Sequence, residues 1–184
     1  MRLRKLREQF GDRVVLERRS FPLRPEPDPT ARFKGTYREA AWQRAAAMAA
    51  VDGVRFSMWA RDDYATWSLP ALAAAKCAAL QGQEAFERVH LGLFEGFFSH
   101  GVNIAIREEV FEVVRGAEVE MDSFLKDYES GVVVAQILKE YEEARTTYRV
   151  DSIPTVIFDG RHKVVGATSA EEYLKVLHRL GVSD

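Results

Sequence analysis

The chain has 184 residues, 47% of them hydrophobic and 29% charged, which fits a folded globular protein and excludes a disordered one. Its formal net charge of −2 gives no broad attraction to nucleic acid or to anionic membrane. The single cysteine, Cys77, rules out an internal disulfide and a cysteine-based zinc site, and it favours a cytoplasmic setting.

Residues 3–10, LRKLREQF, place Leu3, Leu6 and Phe10 at helical spacing, and Gly11-Asp12 ends the segment. Arg2, Arg4, Lys5 and Arg7 break any apolar run here, so no signal peptide is expected. VVLERRSF follows as a short β-type run, with a strand predicted over 14–18. Pro22, Pro25, Pro27 and Pro29 then impose an extended connector, because each proline turns its predecessor away from helix.

From Tyr37 to Arg149 the periodicity is almost wholly helical. An alanine-rich helix stops at Gly53. Ser68 is the expected N-cap of a helix that carries Pro70 in its first turn and ends at Gly82. Phe86, Val89, Leu93, Phe94, Phe97 and Phe98 make a broad apolar stripe, predicted to lie deep in a helical cluster. A short helix ends at Gly116, Asp122 is the expected cap of the next, and Gly131 precedes a helix with Val134, Ile137, Leu138, Tyr141, Ala144 and Tyr148 at helical period. AAAMAAV at 45–51 is the most apolar run and is too short to span a bilayer, so no membrane partner is expected.

After Arg149 the period becomes that of strands. TVIF at 155–158 and KVV at 163–165 flank Asp159-Gly160, a strong hairpin signal, and Ser169 with Glu172 forms a capping box for a last helix. Tyr173, Val176, Leu177 and Leu180 give that helix its apolar face. A mixed sheet with helices on its faces and a helical block inserted as a cap accounts for this order.

Three stretches now point to a family: VVLERRSFPLRPEP, ALAAAKCAALQGQEAFERVHLGLFEGFFSHGVNI, and VEMDSF through to EEYLKVL. Together they resemble the thioredoxin-fold proteins of the DsbA type, in particular the FrnE-like branch of cytosolic dithiol–disulfide oxidoreductases. The resemblance implies an α/β fold: a thioredoxin-like core sheet from residues 1–35 and 149–184, with residues 36–148 as an inserted all-helical domain. It also implies a cis-proline at Pro154, with Ser152, Ile153 and Pro154 binding an extended protein or peptide thiol or disulfide substrate. In the family this loop faces a Cys-x-x-Cys pair at a helix start, where the dipole favours the thiolate.

That pair and the strand before it have no counterpart in this chain. The strand would lie between 14–18 and 155–158, so its absence leaves a gap one strand wide. A start upstream of Met1, a redox-inactive relative whose gap is filled by another strand or by a second subunit of a homodimer, or chemistry resting on a different group each accounts for this. This chain is expected to have no catalytic dithiol and no dithiol turnover. The alternatives are a glutathione-using enzyme like the kappa-class glutathione transferases or the 2-hydroxychromene-2-carboxylate isomerases, or a non-catalytic peptide-binding module of the same fold. Glutathione is a cofactor only under the first of these; otherwise none is expected.

The remaining chemistry-bearing residues read as structural. Cys77 sits mid-helix among alanines as an inert buried thiol, with a peroxidatic or mixed-disulfide role as its alternative. His90 reads as a core histidine, His100 as a helix C-terminal cation, and His162 and His178 as solvent-facing; no pair has metal-ligand spacing, so no metal is expected. Trp42, Trp59 and Trp67 read as core, with Trp59 or Trp67 in a substrate groove as the alternative. KEYEEARTTYR reads as a solvated helix face.

Overall fold

The computed structural model describes residues 2–182. In chain order these form α1 (Arg2–Phe10), a 3₁₀ turn (Gly11–Arg13), α2 (Tyr37–Ala50), α3 (Leu69–Leu80), α4 (Gln83–Ser99), α5 (Arg107–Arg115), α6 (Met121–Ser130), α7 (Val132–Thr146), β1 (Thr155–Phe158), β2 (His162–Val165) and α8 (Ala170–Arg179). The architecture is mixed α/β, with a small antiparallel sheet. Two compact units are formed, one from Met1–Phe21 with Glu142–Asp184 and the other from Pro22–Tyr141.

In the first unit the hairpin is set by its turn. Asp159 and Gly160 both adopt positive φ (49° and 66°), and the Arg161 N–H donates to the Phe158 carbonyl at 3.0 Å. Thr155 pairs with Val165 and Phe158 with His162. Period-2 alternation then puts Val156, Phe158 and Val164 on one face, where they pack on Leu6 and Phe10 of α1 and Tyr173 and Leu177 of α8. Ser169 Oγ accepts the Glu172 N–H at 3.4 Å and so caps α8.

The strand predicted over 14–18 is not formed. Val14, Leu16 and Arg18 are half-buried while Val15, Glu17 and Arg19 are exposed, so the strand alternation is present. Among the described residues, however, β1 and β2 are the only strands. Alternation chooses which side chains face inward; a ladder also needs a neighbour's N–H and C=O groups.

The second unit is built around α3. Its Ala73, Ala74, Ala75, Cys77 and Ala78 are buried, and such small side chains let neighbouring helices approach closely. Val89 and Leu93 of α4, Val110, Phe111 and Val114 of α5, Phe124 of α6 and Val133 and Ile137 of α7 complete this core. A Cβ added at Gly92 would come within 3.1 Å of Val113 of α5, and one at Gly96 within 3.1 Å of Val102 in the loop after α4, so both glycines mark close packing on α4. Phe33, Trp42 and Trp59 form a separate aromatic core with Phe56, Tyr64, Phe97 and Phe98 against it.

Several local expectations are corrected. Ser68 precedes α3 but does not cap it: its Oγ accepts the Arg24 N–H at 3.0 Å, holding the proline-rich connector instead. The cap of α6 is Glu120, whose carboxylate accepts the N–H groups of Asp122 (2.9 Å) and Ser123 (2.7 Å); Asp122 lies in the first turn. On α4, Phe94 is 52% exposed, so the apolar stripe runs out of the core onto the surface. On α7 the buried positions are Val133, Ile137 and Glu140: Ile137 of the predicted face is buried, whereas Val133 and Glu140 are buried in place of Val134 and Tyr141, and Leu138 is exposed.

Candidate functional site

The segment from the end of α7 to β1 carries the residues of interest. α7 ends at Thr146, and Arg149 takes a left-handed φ of 49° that redirects the chain. The Val150 N–H donates to the Ala144 carbonyl at 2.8 Å, and Val150 itself is buried. Beyond this anchor Asp151, Ser152, Ile153 and Pro154 are all exposed. The Ile153–Pro154 peptide bond is cis.

The loop is short and tied on its far side. Thr155 Oγ1 donates to the Ser152 carbonyl at 2.7 Å, and the Gly166 N–H donates to the Pro154 carbonyl at 2.8 Å. The latter bond makes Pro154 and Gly166 a hydrogen-bonded pair, so by alternation Val156/Val164 and Phe158/His162 are also such pairs. Thr155 and Ile157 therefore direct their N–H and C=O groups to the outer edge of β1, away from β2. Among the described residues the backbone groups of Ile153 make no hydrogen bond, and its side chain is 44% exposed. Ser152 Oγ donates to Asp151 Oδ1 at 3.1 Å. Chemically, the loop offers an extended chain one donor and one acceptor at Ile153, next to a fixed proline.

Cys77 belongs to the core of the second unit, with no exposed surface. Burial, reinforced by the negative charge of Asp127, pushes its thiol up to about 12. Both effects disfavour the thiolate, which is the nucleophilic form.

Two charged arrangements escaped the sequence reading. Glu140, expected on a solvated face, is 6% exposed, and its Oε1 accepts from Lys76 Nζ at 2.5 Å. Its neighbours Glu142 and Glu143 do lie at the surface or close to it. The second centres on Arg61. Its guanidinium donates to both oxygens of Asp63 (2.7 and 2.8 Å) and of Glu109 (2.8 and 2.7 Å). Asn103 joins the two carboxylates, donating its N–H to Glu109 and its Nδ2 to Asp63, each at 2.7 Å. Hydrogen bonds from Arg61 and then Asn103 hold Asp63 below the usual carboxylate range. Only the spacing of Arg61 and Asp63 is visible in sequence; Glu109 is brought in by the fold.

His90 is half-buried between the rings of Phe86 and Phe94, at centroid distances of 5.1 and 4.9 Å. The Trp59 indole donates to the Asp63 carbonyl at 2.6 Å inside the aromatic core, and the Trp67 indole donates to the Pro25 carbonyl at 3.1 Å. Among the described residues no cluster of three His, Cys, Asp or Glu side chains is placed to hold a metal ion, and no helix is long and apolar enough to cross a membrane.

Residues 1–178 match the family described as DSBA-like thioredoxin domain. The chain is 29% identical over 76 residues to the thiol:disulfide interchange protein DsbA of Azotobacter vinelandii, covering 41% of this chain and 35% of that one. It is 28% identical over 95 residues to the DsbA of Pseudomonas syringae pv. tomato, covering 50% and 44%. The chain thus spans less than half the length of the curated relatives it matches. Among solved structures it is similar to a probable DsbA oxidoreductase from Streptomyces coelicolor, with a TM-score of 0.79, 19% identity and coverage of 100% of this chain and 83% of that one. A putative protein disulfide isomerase from Nitrosomonas europaea gives a TM-score of 0.75 at 11% identity, over 97% and 89% of the two chains. At these identities the structures speak to the fold.

Proposed function

Because the chain belongs to the family of DSBA-like thioredoxin domains, we propose that it serves thiol–disulfide exchange on polypeptides, with Ser152, Ile153 and Pro154 as the polypeptide-binding half of that chemistry. The observation that carries this reading is the exposed Ile153, whose N–H and C=O are unpaired among the described residues, immediately before Pro154. Backbone groups of this kind recruit an extended chain whatever its side chains, which suits a catalyst with many protein substrates.

Exchange proceeds by attack of a thiolate on a disulfide sulfur. A mixed disulfide forms, one substrate thiolate leaves, and a second cysteine then attacks the mixed disulfide to release the other. That sequence needs two accessible cysteines. These 184 residues contain one, and it is buried with its thiol pushed up to about 12. The role assigned to them is therefore to bind and orient the substrate backbone, without disulfide turnover of their own. The run from Val150 to Leu177 supports placing the chain in the FrnE-like branch, and the lone cysteine suits a reducing, cytoplasmic compartment.

The test is fluorescence anisotropy with fluorescein-labelled insulin B chain whose cysteines are carboxamidomethylated. Replacing Ile153 by Pro removes the N–H donor and is expected to weaken binding roughly tenfold, the worth of about one well-formed hydrogen bond. Ile153→Ala keeps the backbone and is expected to bind within about threefold of the parent chain. Equal affinity of the proline variant and the parent chain would defeat the proposal.

A further inference from the structure

We infer that Lys163, on the β2 strand, is a positioning residue for polypeptide binding at Ile153; the inference rests on the binding reading above. Lys163 pairs with Ile157 in the hairpin register and lies on the face opposite Val156, Phe158 and Val164. From there its ammonium donates to two successive carbonyls, Tyr148 at 3.2 Å and Arg149 at 2.9 Å. Those carbonyls lie just past the last turn of α7, at the negative end of its dipole, where a cation is favoured. They also flank the turn at Arg149, whose φ of 49° a non-glycine residue adopts only when held there.

The consequence is a loop fastened at both ends to one hairpin. On the near side Lys163 of β2 clamps Tyr148 and Arg149; on the far side the Gly166 N–H, just past β2, holds the Pro154 carbonyl. Between these ties Asp151, Ser152 and Ile153 span a short, exposed arc whose direction is set by its two ends. Fixing the arc holds Ile153, with its N–H and C=O uncommitted, in one place, so an incoming chain does not have to order the loop as it binds. Lys163 touches neither the polypeptide nor a reacting sulfur; it acts through the backbone it clamps.

Replacing Lys163 by Met removes the donors and keeps the length of the stem, whereas Arg retains donors able to reach two carbonyls. With the carboxamidomethylated B chain as probe, Lys163→Met is expected to weaken binding about five- to tenfold, mainly through faster dissociation, and Lys163→Arg to recover most of it. Amide hydrogen exchange, read on the unliganded protein, is expected to speed up at Val150 in the Met variant while Leu177 and Tyr173 stay protected. Unchanged affinity in the Met variant, or loss of affinity with the same loss in the Arg variant, overturns the inference. If the parent chain does not bind the B chain, the binding reading falls; the exchange data then still show whether Lys163 holds the loop, and unchanged exchange at Val150 overturns that as well.

Discussion

Replacing Glu140 by Leu should strip the partner from the largely covered Lys76 ammonium. Lys76 and Glu140 have side chains 15% and 6% exposed and meet at 2.5 Å, so water can screen little of the charge left behind. Removing one partner of such a pair costs about 3–5 kcal/mol, whereas replacing both by apolar groups of similar volume is often close to neutral. For a chain of this length that corresponds to a fall in midpoint of roughly 6–20 °C. The assay is urea or thermal unfolding followed by tryptophan fluorescence, since Trp42, Trp59 and Trp67 all lie in the unit that holds the pair. Glu140→Leu should lose stability heavily, and Lys76→Met with Glu140→Leu together should regain most of it. A single variant within about 1 kcal/mol of the parent, the size expected of a surface pair, would refute the claim that the pair is desolvated.

Three further outcomes are expected. Arg61→Met should flatten the acid limb of the stability curve. Asp63 titrates lower in the folded than in the unfolded chain, so its contribution is present above the unfolded value near 4 and is lost as pH falls through the folded one. Urea midpoints from pH 6 down to pH 2 should therefore fall more for the parent than for the variant, and parallel curves would contradict the network. Cys77 should resist a thiol reagent such as DTNB at pH 8 in the native protein and react once the protein is unfolded in urea, because the thiol is buried and pushed up to about 12; prompt labelling of native protein would contradict this. Gly160→Ala places a Cβ at a φ of 66° and should destabilise the hairpin by about 1–2 kcal/mol, read as faster amide exchange at Val156 and Val164.

The helices and the hairpin were legible because their signals are local. The Asp159-Gly160 turn needs only two residues that accept positive φ, and the Ser169 cap needs only a hydroxyl three residues before an N–H. What failed depended on partners distant in sequence. Ser68 has the chemistry of a cap, but Arg24, 44 residues away, takes its hydroxyl. Val14–Arg19 has the alternation of a strand, yet a strand is defined by what lies beside it. Glu140 looked solvated in a glutamate-rich run until folding brought Lys76, 64 residues away, against it. The Ile153–Pro154 loop was legible as a motif from the proline followed by strand and turn. Its clamp was not, because Lys163 reads as an ordinary exposed strand residue until α7 ends beside it.

The central claim is that Ile153 presents its backbone to an extended polypeptide. Its most direct test is a ¹⁵N-resolved NMR titration of the chain with carboxamidomethylated insulin B chain. Saturable shifts of the Ile153 and Thr155 amides are the predicted result, with the Thr155 shift in the Ile153→Pro variant reaching its midpoint only at roughly tenfold higher peptide concentration. Binding that leaves both amides unmoved and shifts only residues of Pro22–Tyr141 would contradict it.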